Sequence, residues 1–238
     1  MSHPERIVPD ETEPGIVALH LKRYEFARPY CVGKRVLDAG CGVGYGSAFL
    51  GEAAASVVGV DVSGEAIDYA RARYGGENVE FAVGDLQRLE HGDAAFDAVV
   101  AFEVIEHLSH PERFVAEAGR VLKPDGVLVV STPRADRGHD LPDNPFHERE
   151  FAPDEFEGLL RESFGHVDVY GQRRVQTARH RALQRLDVLG LRRRLPMLRR
   201  ASRLVTGTTS MDMVASEGVV ISPDGVDDAT ELVAVCRL

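Results

Sequence analysis

The sequence predicts an α/β protein built on a doubly wound, seven-stranded, mostly parallel sheet. Three observations carry this. Short apolar runs near 36–37, 57–60, 79–83, 96–102 and 127–132 alternate with stretches whose apolar residues recur at helical spacing, the pattern of repeated strand–helix units. Several runs are apolar at consecutive positions, as strands covered on both faces are. The first run passes into a helix through glycines at every second position, Gly40, Gly42, Gly44 and Gly46, and the runs end in acids, Asp38, Asp61 and Glu103.

The elements follow in order. Residues 1–14 carry three prolines and several acids and read as a lead-in. A helix is expected over 15–30, with Ile16, Leu19, Tyr24 and Phe26 as its apolar stripe and Pro29 ending it. The first strand is 35–38. Its loop leads into a helix reaching about Ala54, then a second strand, 57–61. Helix 64–74 and Gly75-Gly76 lead to a third strand, 79–83, closed by Gly84-Asp85-Leu86. The fourth strand, 96–102, ends in Glu103-Val104-Ile105-Glu106-His107-Leu108, where Glu106 and His107 open the next helix. Phe114, Val115, Ala118, Val121 and Leu122 give helix 111–122 a buried stripe. Lys123-Pro124-Asp125-Gly126 stops it before the fifth strand, 127–133. A polar loop, 134–148, a helix at 153–164, a sixth strand at 166–170 and an antiparallel seventh at 231–237 complete one domain over 1–238. Between the last two strands lies an insertion, 172–217, read as a cap.

Composition narrows the function. The 238 residues carry a formal net charge of −10, which argues against a nucleic-acid binder. Residues 173–203 depart from this with 11 arginines against one acid, Asp187. Such a local excess marks a segment with its own role: a lid over an extended or anionic acceptor, a homodimer surface through its leucines, or a solvated amphipathic helix. No apolar run is long enough to span a membrane. Three cysteines, Cys31, Cys41 and Cys236, and no leader segment suggest reduced thiols in the cytoplasm.

Glycines between a strand and a helix let a ligand lie against bare backbone, and the free N–H groups of the helix start favour a polar or anionic one. The dinucleotide pattern G-x-G-x-x-G does not close here: its sixth position is Tyr45 counted from Gly40 and Ser47 counted from Gly42. The stretch Asp38-Ala39-Gly40-Cys41-Gly42-Val43-Gly44 resembles instead the nucleotide-binding loop of class I methyltransferases that use S-adenosylmethionine. Gly84-Asp85-Leu86, the segment 102–108 and Arg120-Val121-Leu122-Lys123-Pro124-Asp125-Gly126 are similar to further segments of that family. The resemblance implies a Rossmann-like methyltransferase fold. It implies that Asp38, Ala39, Gly40, Gly42 and Gly44 hold the donor, that Asp61 and Val62 take its ribose and that Gly84, Asp85 and Leu86 take its adenine. Phe102 and Glu103 would face the sulfonium. The first helix would cover the donor, with His20, Arg23 and Tyr24 as contacts. Asp61 could alternatively cap the helix after it.

Methyl transfer needs alignment of nucleophile, methyl and sulfur, and proximity contributes roughly 7–11 kcal/mol. A hydroxyl nucleophile also needs a base. His147 is the first candidate, because Asn144-Pro145-Phe146-His147 resembles a segment of bacterial methyltransferases acting on sugars, and a neutral imidazole can take a proton near pH 7. His107 is the second, with Glu103 or Glu106 orienting either. The reading is therefore an O-methyltransferase of a sugar or glycoside. An amino-sugar N-methyltransferase, a quinone-ring methylase, a nicotinamide-dependent oxidoreductase and a non-catalytic binding protein are the alternatives. Asp136, His139, Asp140 and Asp143 could gather Mg²⁺, but they lack a fixed ligand spacing. A solvated acidic loop is preferred, and no metal ligand set is assigned.

Overall fold

A computed structural model describes residues 6–136, 144–174 and 218–238. Eight strands form one sheet, in the order β3-β2-β1-β4-β5-β8-β6-β7. They are β1 (Arg35–Ala39), β2 (Ser56–Asp61), β3 (Val79–Val83), β4 (Phe96–Phe102), β5 (Leu122–Pro133), β6 (His166–Arg174), β7 (Val219–Ser222) and β8 (Glu231–Arg237). β1 to β5 pair in parallel, with Val36 facing Val57 on one side and Ala98 on the other. β8 inserts antiparallel between β5 and β6. The expected antiparallel last strand is thus present. The eighth strand, β7, pairs with the far edge of β6 and was not expected; β6 itself runs to Arg174, four residues beyond the expected end.

Side chains alternate between two cores, as the two-residue period of a strand requires. Val36, Ala98, Val100 and Val129 face a layer made by α1 (Pro14–Cys31), α2 (Tyr45–Gly51) and α3 (Gly64–Tyr74). Leu37, Val99, Ala101, Leu128 and Val130 face α4 (Pro111–Val121) and α5 (Pro153–Arg161). This explains the unbroken apolar runs, since both faces are covered.

Four local expectations are corrected. α1 buries Ala18, Arg23, Tyr24, Ala27 and Cys31, while Ile16 is 42% exposed. Pro29 lies inside α1, two residues before its last residue Cys31, rather than ending it. Lys123–Asp125 bulge outward within β5, whose register against β4 shifts between Phe96 and Ala98. Glu106 and His107 belong to a single 3-10 turn, Ile105–His107, not to the start of α4.

Candidate active site

The sheet order reverses between β1 and β4, where open α/β sheets bind ligands beyond the carboxyl ends of their strands. A cavity of about 470 Å³ opens there, a size ordinary for a cofactor or small-molecule site.

The loop after β1 is built on Asp38. Its carboxylate is fully buried and accepts hydrogen bonds from the Ser47 hydroxyl at 2.6 Å and the Tyr24 hydroxyl at 3.3 Å. Burial pushes the Asp38 carboxyl up to about 7, although these two hydrogen bonds pull it back. Asp38 therefore ties α1 and α2 beneath the loop and does not line the cavity, and Ala39 is buried in the core. The glycines divide as well. A Cβ on Gly40 would strike Val104, one on Gly44 would meet Ala70 and Phe81, and one on Gly46 would overlap the Tyr24 ring. At Gly42, with φ of +52°, a Cβ would meet nothing within 4 Å. The expectation that every loop glycine bares backbone for a ligand is corrected: Gly40 and Gly42 line the cavity, whereas Gly44 serves packing.

Asp61 accepts the Gly42 N–H on Oδ2 and the Ser63 N–H on Oδ1, both at 2.9 Å. A carboxylate offers about four lone-pair positions, so both oxygens keep accepting capacity. The cap of α3 is the Ser63 hydroxyl, which accepts the Ala66 N–H. Val62 follows at the cavity, 78% exposed. The Gly84 N–H donates to the Asp61 carbonyl at 3.0 Å. Beyond it Asp85 accepts the Gln87 N–H, and Leu86 is buried in the core. Gly84, Asp85 and Leu86 do not line the cavity.

α1 contributes His20 and Tyr24. Burial and the charge of Arg23 hold the His20 imidazole well below its usual value. Arg23 lies beneath the surface, 3.4 Å from Glu103 Oε2 and 3.8 Å from Glu231 Oε1. Phe102 packs edge-on against Tyr24. Glu103 adopts φ of +52°, a conformation that usually marks a constrained site. It is held by Ser131, whose hydroxyl donates to Oε1 at 2.8 Å.

At the far end, the Glu106 carbonyl accepts the N–H groups of Glu148 and Arg149. This folds the segment 144–150 back onto the 3-10 turn and sets the His107 and His147 rings 5.0 Å apart. His107 Nδ1 lies 2.8 Å from the Phe146 carbonyl. A carbonyl only accepts, so Nδ1 carries the hydrogen, and in the neutral ring Nε2 is then the acceptor nitrogen. His147 Nδ1 is 3.1 Å from Glu150 Oε1, and its Nε2 is 2.9 Å from the Asn144 amide nitrogen. The Phe146 N–H donates to Asn144 Oδ1, which fixes the amide's orientation. Nε2 of His147 is therefore an acceptor too. Glu106 is 1% exposed and accepts the Thr132 hydroxyl; burial, with the neighbouring Glu103 charge, pushes its carboxyl well above the usual range.

Arg6, Ile7 and Tyr45 also line the cavity. Arg6 and Ile7 precede the first helix with no motif to mark them. Asp136 pairs with Arg134 at 2.8 Å. His139, Asp140 and Asp143, and the insertion beyond Arg174, lie outside the described residues. No described helix is long and apolar enough to cross a membrane.

A reversed sheet order, a glycine loop bonded to an acid on the next strand and a cavity at their junction define a Rossmann-like domain for an adenosine-containing cofactor. Residues 37–130 match the methyltransferase domain family. A probable S-adenosylmethionine-dependent methyltransferase of Mycobacterium tuberculosis is 42% identical over 169 residues, 69% of this chain and 61% of that protein. The mitochondrial ubiquinone biosynthesis O-methyltransferase of Mus musculus is 39% identical over 106 residues, 42% of this chain and 29% of that one. The chain thus spans about three-fifths or less of the length of these relatives. An S-adenosylmethionine-dependent methyltransferase from Thermotoga maritima shares the fold with a TM-score of 0.62 at 18% identity, over 96% of this chain and 94% of that one. The family implies S-adenosylmethionine as cofactor.

Proposed function

We propose that the protein transfers the methyl group of S-adenosylmethionine to a hydroxyl of a sugar or glycoside. The observation that carries this is the single cavity that joins Gly42, Asp61 and Val62 at one end to Glu103, His107 and His147 at the other. The donor fits the first end. Gly42 leaves open space for its methionine portion, Asp61 has lone pairs for ribose hydroxyls, and exposed Val62 offers an apolar face to adenine. Asp85, one residue beyond Gly84, is exposed and can take the adenine amino group at the rim. Glu103 offsets the positive charge of sulfur.

At the other end the acceptor hydroxyl replaces the Asn144 amide as donor to His147 Nε2. Its proton passes to that nitrogen and the oxygen lone pair attacks the methyl carbon. The S–C bond breaks with its electron pair remaining on sulfur. Such a base is typically worth ~10²–10⁴-fold. The name of the mouse relative supports oxygen as the acceptor atom. The arginines of 173–203 suit an anionic or extended acceptor, and three free, buried cysteines suit a reducing cytoplasm.

The test is incubation with labelled donor and a panel of glycosides, quinols, fatty acids and amino sugars, with products identified by mass spectrometry. Labelled methyl ethers of a glycoside support the reading. Transfer to nitrogen or to quinols alone overturns the acceptor assignment. Failure of S-adenosylhomocysteine to raise the melting temperature overturns the donor assignment.

A further inference from the structure

We propose that Arg23 is a positioning residue for donor recognition: from beneath the cavity it holds the Glu103 carboxylate charged and in one orientation, so that the site tells the charged donor from its neutral product. The inference rests on the methyltransferase reading, and Arg23 acts through Glu103 without touching the donor. Arg23 is buried and does not line the cavity, whereas Glu103 does. Arg23 Nη2 stands 3.4 Å from Glu103 Oε2 and 3.8 Å from Glu231 Oε1. Of these two carboxyl groups only Glu103 reaches the cavity.

Three features set this pair apart from an ion pair that serves the fold alone. The first is that it is complete on one side only. Both Glu103 oxygens are engaged, Oε2 by Arg23 and Oε1 by the Ser131 hydroxyl at 2.8 Å, and the Glu103 N–H donates to the same hydroxyl at 3.2 Å. Arg23 leaves Nε and Nη1 buried without a hydrogen-bond partner. Buried donors left unmade cost stability, and an apolar side chain often fills such a place as well or better. The second is strain. Glu103 has φ of +52°, a conformation that persists in a non-glycine residue only where the surroundings over-determine it. Ser131 and Arg23 are those surroundings. The third is charge. Glu103, Glu106 and Glu231 share one guanidinium. Burial raises the Glu231 carboxyl and, with the Glu103 charge, pushes Glu106 well above its usual range, while the Arg23 charge pulls both back. The other titratable groups facing this cluster are His20 on α1 and Tyr45 on α2, with Arg174 on β6 toward Glu231.

The donor carries its positive charge on sulfur and loses it when the methyl leaves. A carboxylate fixed beside that sulfur favours S-adenosylmethionine and is indifferent to S-adenosylhomocysteine. Without the guanidinium, three carboxyl groups crowd together with no nearby cation, and each is driven toward its neutral form. Glu103 then loses both its charge and its orientation.

The test uses the full chain and calorimetric titration with S-adenosylmethionine and S-adenosylhomocysteine. Near pH 7, Arg23→Met should weaken donor binding about tenfold or more, with product binding changed less than ~2-fold. Raising the pH to about 9 should recover much of that loss as the carboxyl ionises again. Glu103→Gln should show the same loss at both pH values, and adding Arg23→Met to it should move the donor-to-product ratio no further. Arg23→Lys, which keeps the charge, should restore most of the ratio. If Arg23→Met loses native circular dichroism, Ser131→Ala loosens the other Glu103 oxygen and should move the ratio in the same direction. Equal weakening of both ligands, additive losses in the double variant, or tighter donor binding in Arg23→Met overturns the role. A wild-type chain that binds neither ligand sinks the methyltransferase reading. A chain that binds both, with a ratio that Arg23→Met and Ser131→Ala leave unmoved, sinks only the role of Arg23.

Discussion

Two glycines two residues apart in one loop should fail in different ways. Gly42 and Gly44 both have positive φ, +52° and +87°, and alanine in such a conformation costs about 1–2 kcal/mol. At Gly42 the cost stops there, because the new methyl meets nothing within 4 Å. At Gly44 the methyl would sit 2.7 Å from Ala70 Cβ and from the Phe81 ring. Overpacking of that kind adds about 1–3 kcal/mol, for a total of about 2–5 kcal/mol. Ligand binding should sort the other way. The Gly42 methyl projects into the cavity, so Gly42→Ala should weaken S-adenosylhomocysteine binding tenfold or more, about 1.4 kcal/mol. Gly44→Ala, once folded, should bind more nearly as the wild type does. Urea denaturation and titration calorimetry on both variants read the two effects. The reasoning fails if Gly44→Ala is as stable as Gly42→Ala, or if Gly42→Ala keeps full affinity.

Further outcomes follow from the same geometry. His147→Ala should lose ~10²–10⁴-fold in turnover while donor affinity, measured by calorimetry, stays near wild type; full turnover would favour an amine acceptor. Asp38 has a folded pKa of about 7, above the unfolded value of about 3.9. Its contribution is therefore complete below pH ~4 and lost as pH rises through about 7, at most about 4 kcal/mol in all. Urea midpoints at pH 5 and pH 8 should show wild type losing stability relative to Asp38→Asn, a comparison that removes other titrating groups such as His20; parallel pH profiles would count against it. Gly46→Ala should cost about 1–3 kcal/mol by pressing on the Tyr24 ring. In a double-mutant cycle with Tyr24→Ala that penalty should largely vanish, and simple additivity would show that the two do not touch.

How far the chain could be read without coordinates depended on distance along it. The short, unbroken apolar runs Val36–Leu37 and Ala98–Phe102 and the 3.6-residue spacing of Phe114, Val115, Ala118 and Val121 are local patterns. They determined the strands, α4 and the parallel core. The loop 38–44 and its pairing with Asp61 were legible for the same reason, since a strand end, a turn and the next strand end recur at short intervals. Tertiary structure alone decided which side of each element meets protein. Gly44 and Gly46 face Phe81 and Tyr24, so their missing side chains make room for neighbours and not for a ligand. α1 turns Arg23 inward and leaves Ile16 in solvent, because Glu103 and Glu231 wait beneath it. β7 became a strand because the edge of β6 was open to pairing. His107 and His147, 40 residues apart, meet because the Glu106 carbonyl captures two backbone N–H groups of the segment between Asn144 and Glu150. A hydrogen bond across that separation leaves no periodic trace in sequence, which is why the histidine pair was legible as two candidates but not as one site.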